Sequence, residues 1–155
     1  MTVNEKDSDN NSDLKNVNLN TDGEPNSASF DLNLSTNQTL IAKNHNHPEN
    51  SPPSSTDIRS MIGSNSGTSS FVYGKGGNTY ALVVTNATKA TAFLTKYSDE
   101  DIYIMIINRA AIIINEIGSY DDFNPIYEKA TQGILSGNGL ELFKEGSGGY
   151  FQKSQ

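Results

Sequence analysis

Two histidines and an aspartate with metal-ligand chemistry lie close together near the middle of this chain. His45-Asn46-His47-Pro48 is followed, after a loop rich in proline and serine, by Asp57. Residues two apart in a strand point to the same side, so His45 and His47 can converge on one ion while Asn46 points away. Two imidazoles and one carboxylate would leave a fourth position open on zinc. The spacing therefore predicts a three-ligand zinc site.

An open zinc site of this kind could perform hydrolysis. Bound zinc lowers the pKa of a coordinated water toward about 7, so hydroxide becomes available at neutral pH to attack a carbonyl. Ser54 lies beside the site by spacing, and its hydroxyl could donate to the oxyanion that forms. The same serine equally suits the N-cap of the following helix, and Ser55 could take its place in either role.

Composition restricts the alternatives. The chain has no cysteine, so a metal must be held by imidazole, carboxylate or backbone oxygen. With 18 acidic against 11 basic residues the net charge is −7, which disfavours nucleic acid as a partner. The letters His-Asn-His also occur in nucleases, but a nuclease needs further ligands and a basic surface, and this chain has only two histidines.

The segments around the predicted ligands read as a strand, a loop and a helix. The run 39–44 has strand character and leads directly into the histidine pair, where Pro48 ends the ladder. Two prolines stiffen the loop 49–53. Residues 56–62 read as a short helix that Gly63 stops, which places Asp57 in its first turn.

The remaining patterns predict one mixed α/β domain, for which 155 residues are sufficient. A polar segment, 1–13, is predicted to be flexible, and the domain to span residues 14–155. Strands are predicted at 17–19, 30–34, 71–73, 80–84, 140–144 and 150–153, and helices at 87–97, 102–117 and 124–135. The glycine-rich stretch 74–78 is predicted to be a hairpin turn, because it lacks the spacing of a phosphate-binding loop.

No segment predicts a membrane protein. The most apolar stretch, 102–117, is interrupted by Asn108, Arg109, Asn115 and Glu116, which fits a buried helix better than a membrane span. The N-terminus has neither the basic nor the apolar region of a secretory signal. A cytoplasmic location is the default expectation, and secretion within a larger polypeptide stays open.

The motif resembles the JAMM motif of the JAB/MPN metalloprotease family, which runs His-x-His-Pro, a loop, then Ser, two residues and Asp. Here the matching residues are His45, His47, Pro48, Ser54 and Asp57, and the resemblance covers about residues 39–62. It is especially close to the branch with RadC-like proteins and the JAB-like domains of bacterial polymorphic toxins. The resemblance implies a JAB/MPN-like fold, a zinc ion, and peptide or protein substrates, including isopeptide bonds.

Active members of that family also carry a glutamate on an early strand, which takes a proton from the zinc-bound water and passes it to the leaving amine. The upstream candidates here are Glu5 and Glu24, and a third alternative is that the strand bearing this residue precedes Met1. Two functions are therefore expected. One is a zinc-dependent peptidase or isopeptidase, and the other is a non-catalytic metal-binding interaction module, as a fragment or C-terminal domain of a larger toxin- or phage-like polypeptide. The oligomeric state is not predicted.

Overall fold

The computed structural model describes residues 2–7, 14–18, 38–118 and 122–154, with side chains from residue 39 onward. Seven strands and four helices occur in these ranges. The elements are β1 (Thr2–Asp7), β2 (Leu14–Asn18), β3 (Gln38–His47), α1 (Ser55–Arg59), β4 (Ser69–Gly74), β5 (Thr79–Val84), α2 (Ala87–Lys96), α3 (Asp99–Ile117), α4 (Phe123–Leu135), β6 (Leu140–Glu145) and β7 (Phe151–Lys153).

All seven strands form one mixed sheet in the order β2-β1-β3-β4-β5-β6-β7. The pair β3 and β4 is parallel, with His45 opposite Val72 and His47 opposite Gly74, and the other neighbours are antiparallel. A parallel pair needs a crossover connection, and the chain makes it through α1. The single α/β domain predicted from sequence is confirmed.

The hydrophobic core lies between the sheet and the helices. Tyr80, Leu82 and Leu142 of the sheet are fully buried and belong to the same cluster as residues of every helix. The helical members include Ile58, Leu94, Ile102, Ile106, Ala130 and Leu135. Ile102 and Ile106 lie on the same side of α3 because they are four residues apart. The Ile-rich stretch is thus a core helix, as predicted.

Local sequence signals explain the ends of α3. Ser98 caps its N-terminus in a reciprocal capping box with Asp101, and Gly118 ends it with a left-handed backbone, φ 76°. None of the helices in the described part of the chain is long and apolar enough to cross a membrane.

Several predicted elements differ in their bounds or lie outside the described residues. Residues Thr2–Asp7, within the segment predicted to be flexible, form β1 by pairing with β2 and β3. The predicted helix 56–62 is shorter, because α1 ends at Arg59 and a turn follows up to Gly63. The predicted strand 30–34 lies outside the described residues.

Candidate metal centre

Strand β3 brings the two histidines to one point. His45 and His47 extend from the helix-covered side of the sheet at the carboxyl end of β3, and their ring centroids are 5.0 Å apart. The Nε2 atoms of the two rings are 3.1 Å apart. The convergence that the alternation of a strand predicted is therefore present in the folded chain.

Helix α1 supplies the carboxylate. Its N-cap, Ser54, forms a capping box with Asp57: the Asp57 backbone N–H donates to Ser54 Oγ at 3.2 Å, and the Ser54 N–H donates to Asp57 Oδ2 at 2.7 Å. Ser54 Oγ also lies 2.7 Å from Asp57 Oδ2 and donates its proton there. A capping box satisfies otherwise unpaired N–H groups at a helix start, so it also fixes the direction of the Asp57 side chain.

The three predicted ligand residues form a compact triangle, in which each imidazole Nε2 faces a different oxygen of the Asp57 carboxylate. His45 Nε2 is 2.9 Å from Asp57 Oδ1, and His47 Nε2 is 3.1 Å from Asp57 Oδ2. Tetrahedral zinc with bonds of 2.0–2.1 Å requires ligand atoms roughly 3.3 Å apart. The Nε2–Nε2 distance of 3.1 Å and the distance of 2.9 Å from His45 Nε2 to Oδ1 would open by a few tenths of an ångström around such an ion. His47 Nε2 faces the other carboxylate oxygen, so binding through one oxygen also requires the carboxylate to shift. The donor types and their convergence fit a zinc ion.

The environment keeps Asp57 ionised. Burial by itself raises the pKa of the Asp57 carboxyl, but hydrogen bonds with His45, His47 and Ser54 and the charge of His45 outweigh burial and hold the pKa well below its usual range. Metal ligands must be deprotonated to bind. The Asp57 carboxylate is therefore ready to bind a cation at any physiological pH.

A hydrogen bond at the other ring nitrogen, Nδ1, orients His47. Its Nδ1 lies 3.1 Å from Ser51 Oγ in the loop that follows Pro48. When Nδ1–H donates to this hydroxyl, the lone pair of Nε2 faces the centre of the triangle. Such outer partners set the tautomer and the ring orientation of a histidine ligand.

The loop that carries Ser51 is anchored on the β4–β5 hairpin. Asn50 Oδ1 accepts a hydrogen bond of 2.9 Å from the backbone N–H of Asn78. A Cβ atom on Gly76 would lie 2.7 Å from Asn50 Cγ, and one on Gly74 would lie 2.6 Å from Asn50 Oδ1. The glycines predicted as turn residues thus also make room for the loop of the metal centre, a role that their spacing alone did not indicate.

Lys43 is a component that the sequence analysis did not identify. It lies on β3 two residues before His45 and is only 5% exposed. Its ammonium donates to the carbonyl oxygen of Ser60 at 3.0 Å and to the Ser60 hydroxyl. Burial lowers the pKa of Lys43 to about 8, although the nearby Asp57 carboxylate acts in the opposite direction. A lysine within the apolar run 40–43 was the available signal.

An open cleft of about 530 Å³ adjoins the centre at His47. Its lining contains a partly exposed aromatic ring and an ammonium group, and it contains no carboxylate. The lining residues are Asn46, His47, Pro48, Tyr73, Gly74 and Lys75. Of the three predicted ligands, His47 is the one that lines this cleft.

The structure also places the candidate residues whose roles were left open. Ser54 is the N-cap, and Ser55 is the first residue of α1. Among the described side chains, the convergent group of potential metal ligands consists of His45, His47 and Asp57. Glu5 lies on β1 with its Cα opposite that of Leu40, five residues before His45, or roughly 16 Å along the strand. Glu24 lies outside the described residues.

No protein-family model, curated protein or solved structure matches this chain. What the centre does must therefore follow from the geometry of its own residues.

Proposed function

We propose that this chain binds one zinc ion through His45, His47 and Asp57 and acts as a metal-dependent peptidase or isopeptidase. The observation that carries the proposal is the convergence of the three side chains, whose nearest donor atoms are 2.9–3.1 Å apart and which β3 and α1 hold together. Exposed acidic groups often cluster without a metal, but this group is mostly buried, with side-chain exposures of 15–23%. Such burial favours a built site over a chance surface cluster.

Zinc is the preferred ion because of the donor set. Two imidazole nitrogens and one carboxylate oxygen suit zinc, whereas calcium and magnesium prefer oxygen ligands alone. Three protein ligands would leave one vertex of a zinc tetrahedron unfilled by protein. Bound zinc would supply a water of lowered pKa and would polarise a carbonyl at that vertex.

Amide bonds are the proposed target. The support is the JAMM-like order of residues, His-x-His-Pro at the end of β3 and Ser-x-x-Asp at the start of α1, together with the open cleft beside His47. The cleft would take the polypeptide on one side of the scissile bond. A JAB/MPN-like fold is part of the same proposal, beyond the single α/β domain already described.

A non-catalytic metal-binding module is the second candidate, and one observation favours it. No glutamate among the described side chains joins the ligand group, and the register of β1 keeps the Cα of Glu5 far from His45. Without a general base, a zinc site of this kind would bind the ion and stabilise the link between β3 and α1. The interaction partner would then recognise the surface of the loaded domain.

Metal analysis of the purified protein tests the zinc site. We expect about one zinc per chain, and its loss in His45→Ala and in Asp57→Ala. Thr56→Ala is the matched control, because Thr56 is an exposed neighbour in α1. Zinc content unchanged in both ligand variants would refute the ligand assignment.

Cleavage of a mixed peptide and isopeptide library then separates the two candidates. Zinc-dependent cleavage that disappears in His45→Ala supports the hydrolase. Stoichiometric zinc binding without cleavage of any library member supports the binding module.

A further inference from the structure

We propose that Lys43 and Ser60 form a clamp that positions Asp57 against the two histidines, and we call these two residues the β3–α1 clamp. The inference rests on the proposed zinc site and adds two positioning residues to it. Neither residue is a metal ligand. Their role would be to fix the distance between the strand that carries two ligands and the helix that carries the third.

The clamp is a continuous chain of hydrogen bonds from β3 to the backbone of Asp57. The Lys43 ammonium donates to both the carbonyl oxygen and the hydroxyl of Ser60. The Ser60 hydroxyl donates in turn to the carbonyl oxygen of Asp57 at 2.5 Å. One side chain of β3 is therefore connected, through one hydroxyl, to the residue that completes the triangle.

Helix α1 needs such a connection because it is short. It has five residues, from Ser55 to Arg59, and Ser60 is its C-cap. A helix of this length cannot maintain itself by its own hydrogen bonds, since helix nucleation is unfavourable and few bonds follow it. Ile58 packs into the core and the capping box holds the first turn. The clamp holds the other end.

The stability of a Lys43 variant can distinguish a role in positioning Asp57 from a role in stabilising the fold. Burying an ammonium group costs free energy that an apolar side chain of similar volume would not cost. Lys43→Met should therefore leave the metal-free fold as stable as before or more stable. A residue that merely supported the fold would show the opposite result.

An alternative is that Lys43 affects zinc binding only through repulsion between its ammonium group and the zinc ion. A cation close to the centre disfavours zinc, so removing it without any positioning effect would strengthen zinc binding. Ser60→Ala resolves this ambiguity, because it removes the hydroxyl that links Lys43 to the Asp57 carbonyl oxygen without changing a charge, and it leaves the bond from Lys43 to the Ser60 carbonyl oxygen in place. Ser60 is exposed, so this variant should fold even if Lys43→Met does not.

The test is a zinc titration against a competing chelator for Lys43→Met, Ser60→Ala and the double variant. The clamp predicts about a tenfold loss of zinc affinity in each single variant. In the double variant it predicts a loss smaller than the sum of the two single losses, since both substitutions break the same hydroxyl link to Asp57. Thr56→Ala and Lys75→Met are the controls, the second because it removes an ammonium that lines the cleft. Denaturant unfolding of the zinc-free forms measures their stability. The absorption spectrum of the Co²⁺-substituted protein reports the ligand geometry.

Two results would overturn the clamp in distinguishable ways. Zinc affinity unchanged in Ser60→Ala, with the wild type binding normally, would remove the clamp and leave the zinc site intact. A wild-type chain that binds no zinc would overturn the proposed function, and the clamp with it.

Discussion

Oδ2 of Asp57 accepts two hydrogen bonds from Ser54, one from its backbone N–H and one from its hydroxyl, each at 2.7 Å. Because Oδ2 is occupied in this way, Oδ1 is the freer oxygen for a metal, 2.9 Å from His45 Nε2. The single hydroxyl proton of Ser54 points to the carboxylate. To stabilise an oxyanion, Ser54 would have to give up this bond during the reaction.

Ser54→Ala is expected to weaken both the fold and the metal centre. Loss of the N-cap should cost about 1 kcal/mol of unfolding free energy, and the loosened Asp57 should lower zinc affinity by roughly tenfold. Ser54→Thr retains a hydroxyl cap and is the matched control. Thermal unfolding and zinc titration are the measurements. Normal zinc affinity with lost turnover would instead support the oxyanion role.

Ser51→Ala should lower zinc affinity through His47. The variant removes the partner of Nδ1, so the imidazole loses part of its fixed orientation, and a loss of about tenfold is expected. Ser55→Ala, in the first turn of α1, is the control. Equal zinc affinity in the two variants would show that the Ser51 contact does not orient the ligand.

Gly76→Ala should destabilise the loop of the metal centre. The new Cβ would meet the Asn50 side chain at 2.7–2.9 Å, and overpacking of this kind costs about 1–3 kcal/mol. Asn50→Gly in the same chain should recover part of that loss, because it removes the clashing atoms. Chemical denaturation of the wild type, the two single variants and the double variant measures the coupling between positions 76 and 50. Strictly additive changes in unfolding free energy would contradict the contact.

Gly133→Ala provides the contrasting case for an added methyl group. Gly133 is in α4, and its new Cβ would lie 3.4 Å from Nε of the flexible Arg109 side chain. Alanine is favoured over glycine in a helix by up to about 1 kcal/mol, so the variant should be more stable. A raised unfolding midpoint is expected, and a fall comparable to that of Gly76→Ala would be inconsistent with the space around Gly133.

Alkaline pH should destabilise the fold through Tyr127. Burial raises the pKa of Tyr127 to about 12, and the charges of Tyr103 and Asp57 add to the effect. An unfolded tyrosine loses its proton near pH 10, so the stabilisation is complete below about pH 10 and is lost as the pH rises through 12. Urea unfolding between pH 9 and 11.5 should show a shallower decline for Tyr127→Phe. An equal decline of stability with pH in the wild type and in Tyr127→Phe would contradict the role of Tyr127.

The local parts of this fold were predictable because they depend on nearby residues. Alternation along β3 placed His45 and His47 on one side, and the end of α3 followed from Gly118. Asp57 in the first turn of α1 followed from the preceding serines. Each of these features depends on a strand or helix period, a cap or a turn, all of which the sequence encodes within a few positions.

The tertiary structure alone decided how these parts meet. Lys43 and Ser60 are 17 residues apart, and Asn50 and Asn78 are 28 apart, so no local pattern links them. The parallel pairing of β3 with β4 and the place of β1 beside β3 were likewise set by the packed sheet. The sequence by itself thus determined which side chains could bind a metal. Burial and hydrogen bonds between distant segments determined that His45, His47 and Asp57 come within 3.1 Å of one another, because these interactions exist only once the sheet and helices have packed together.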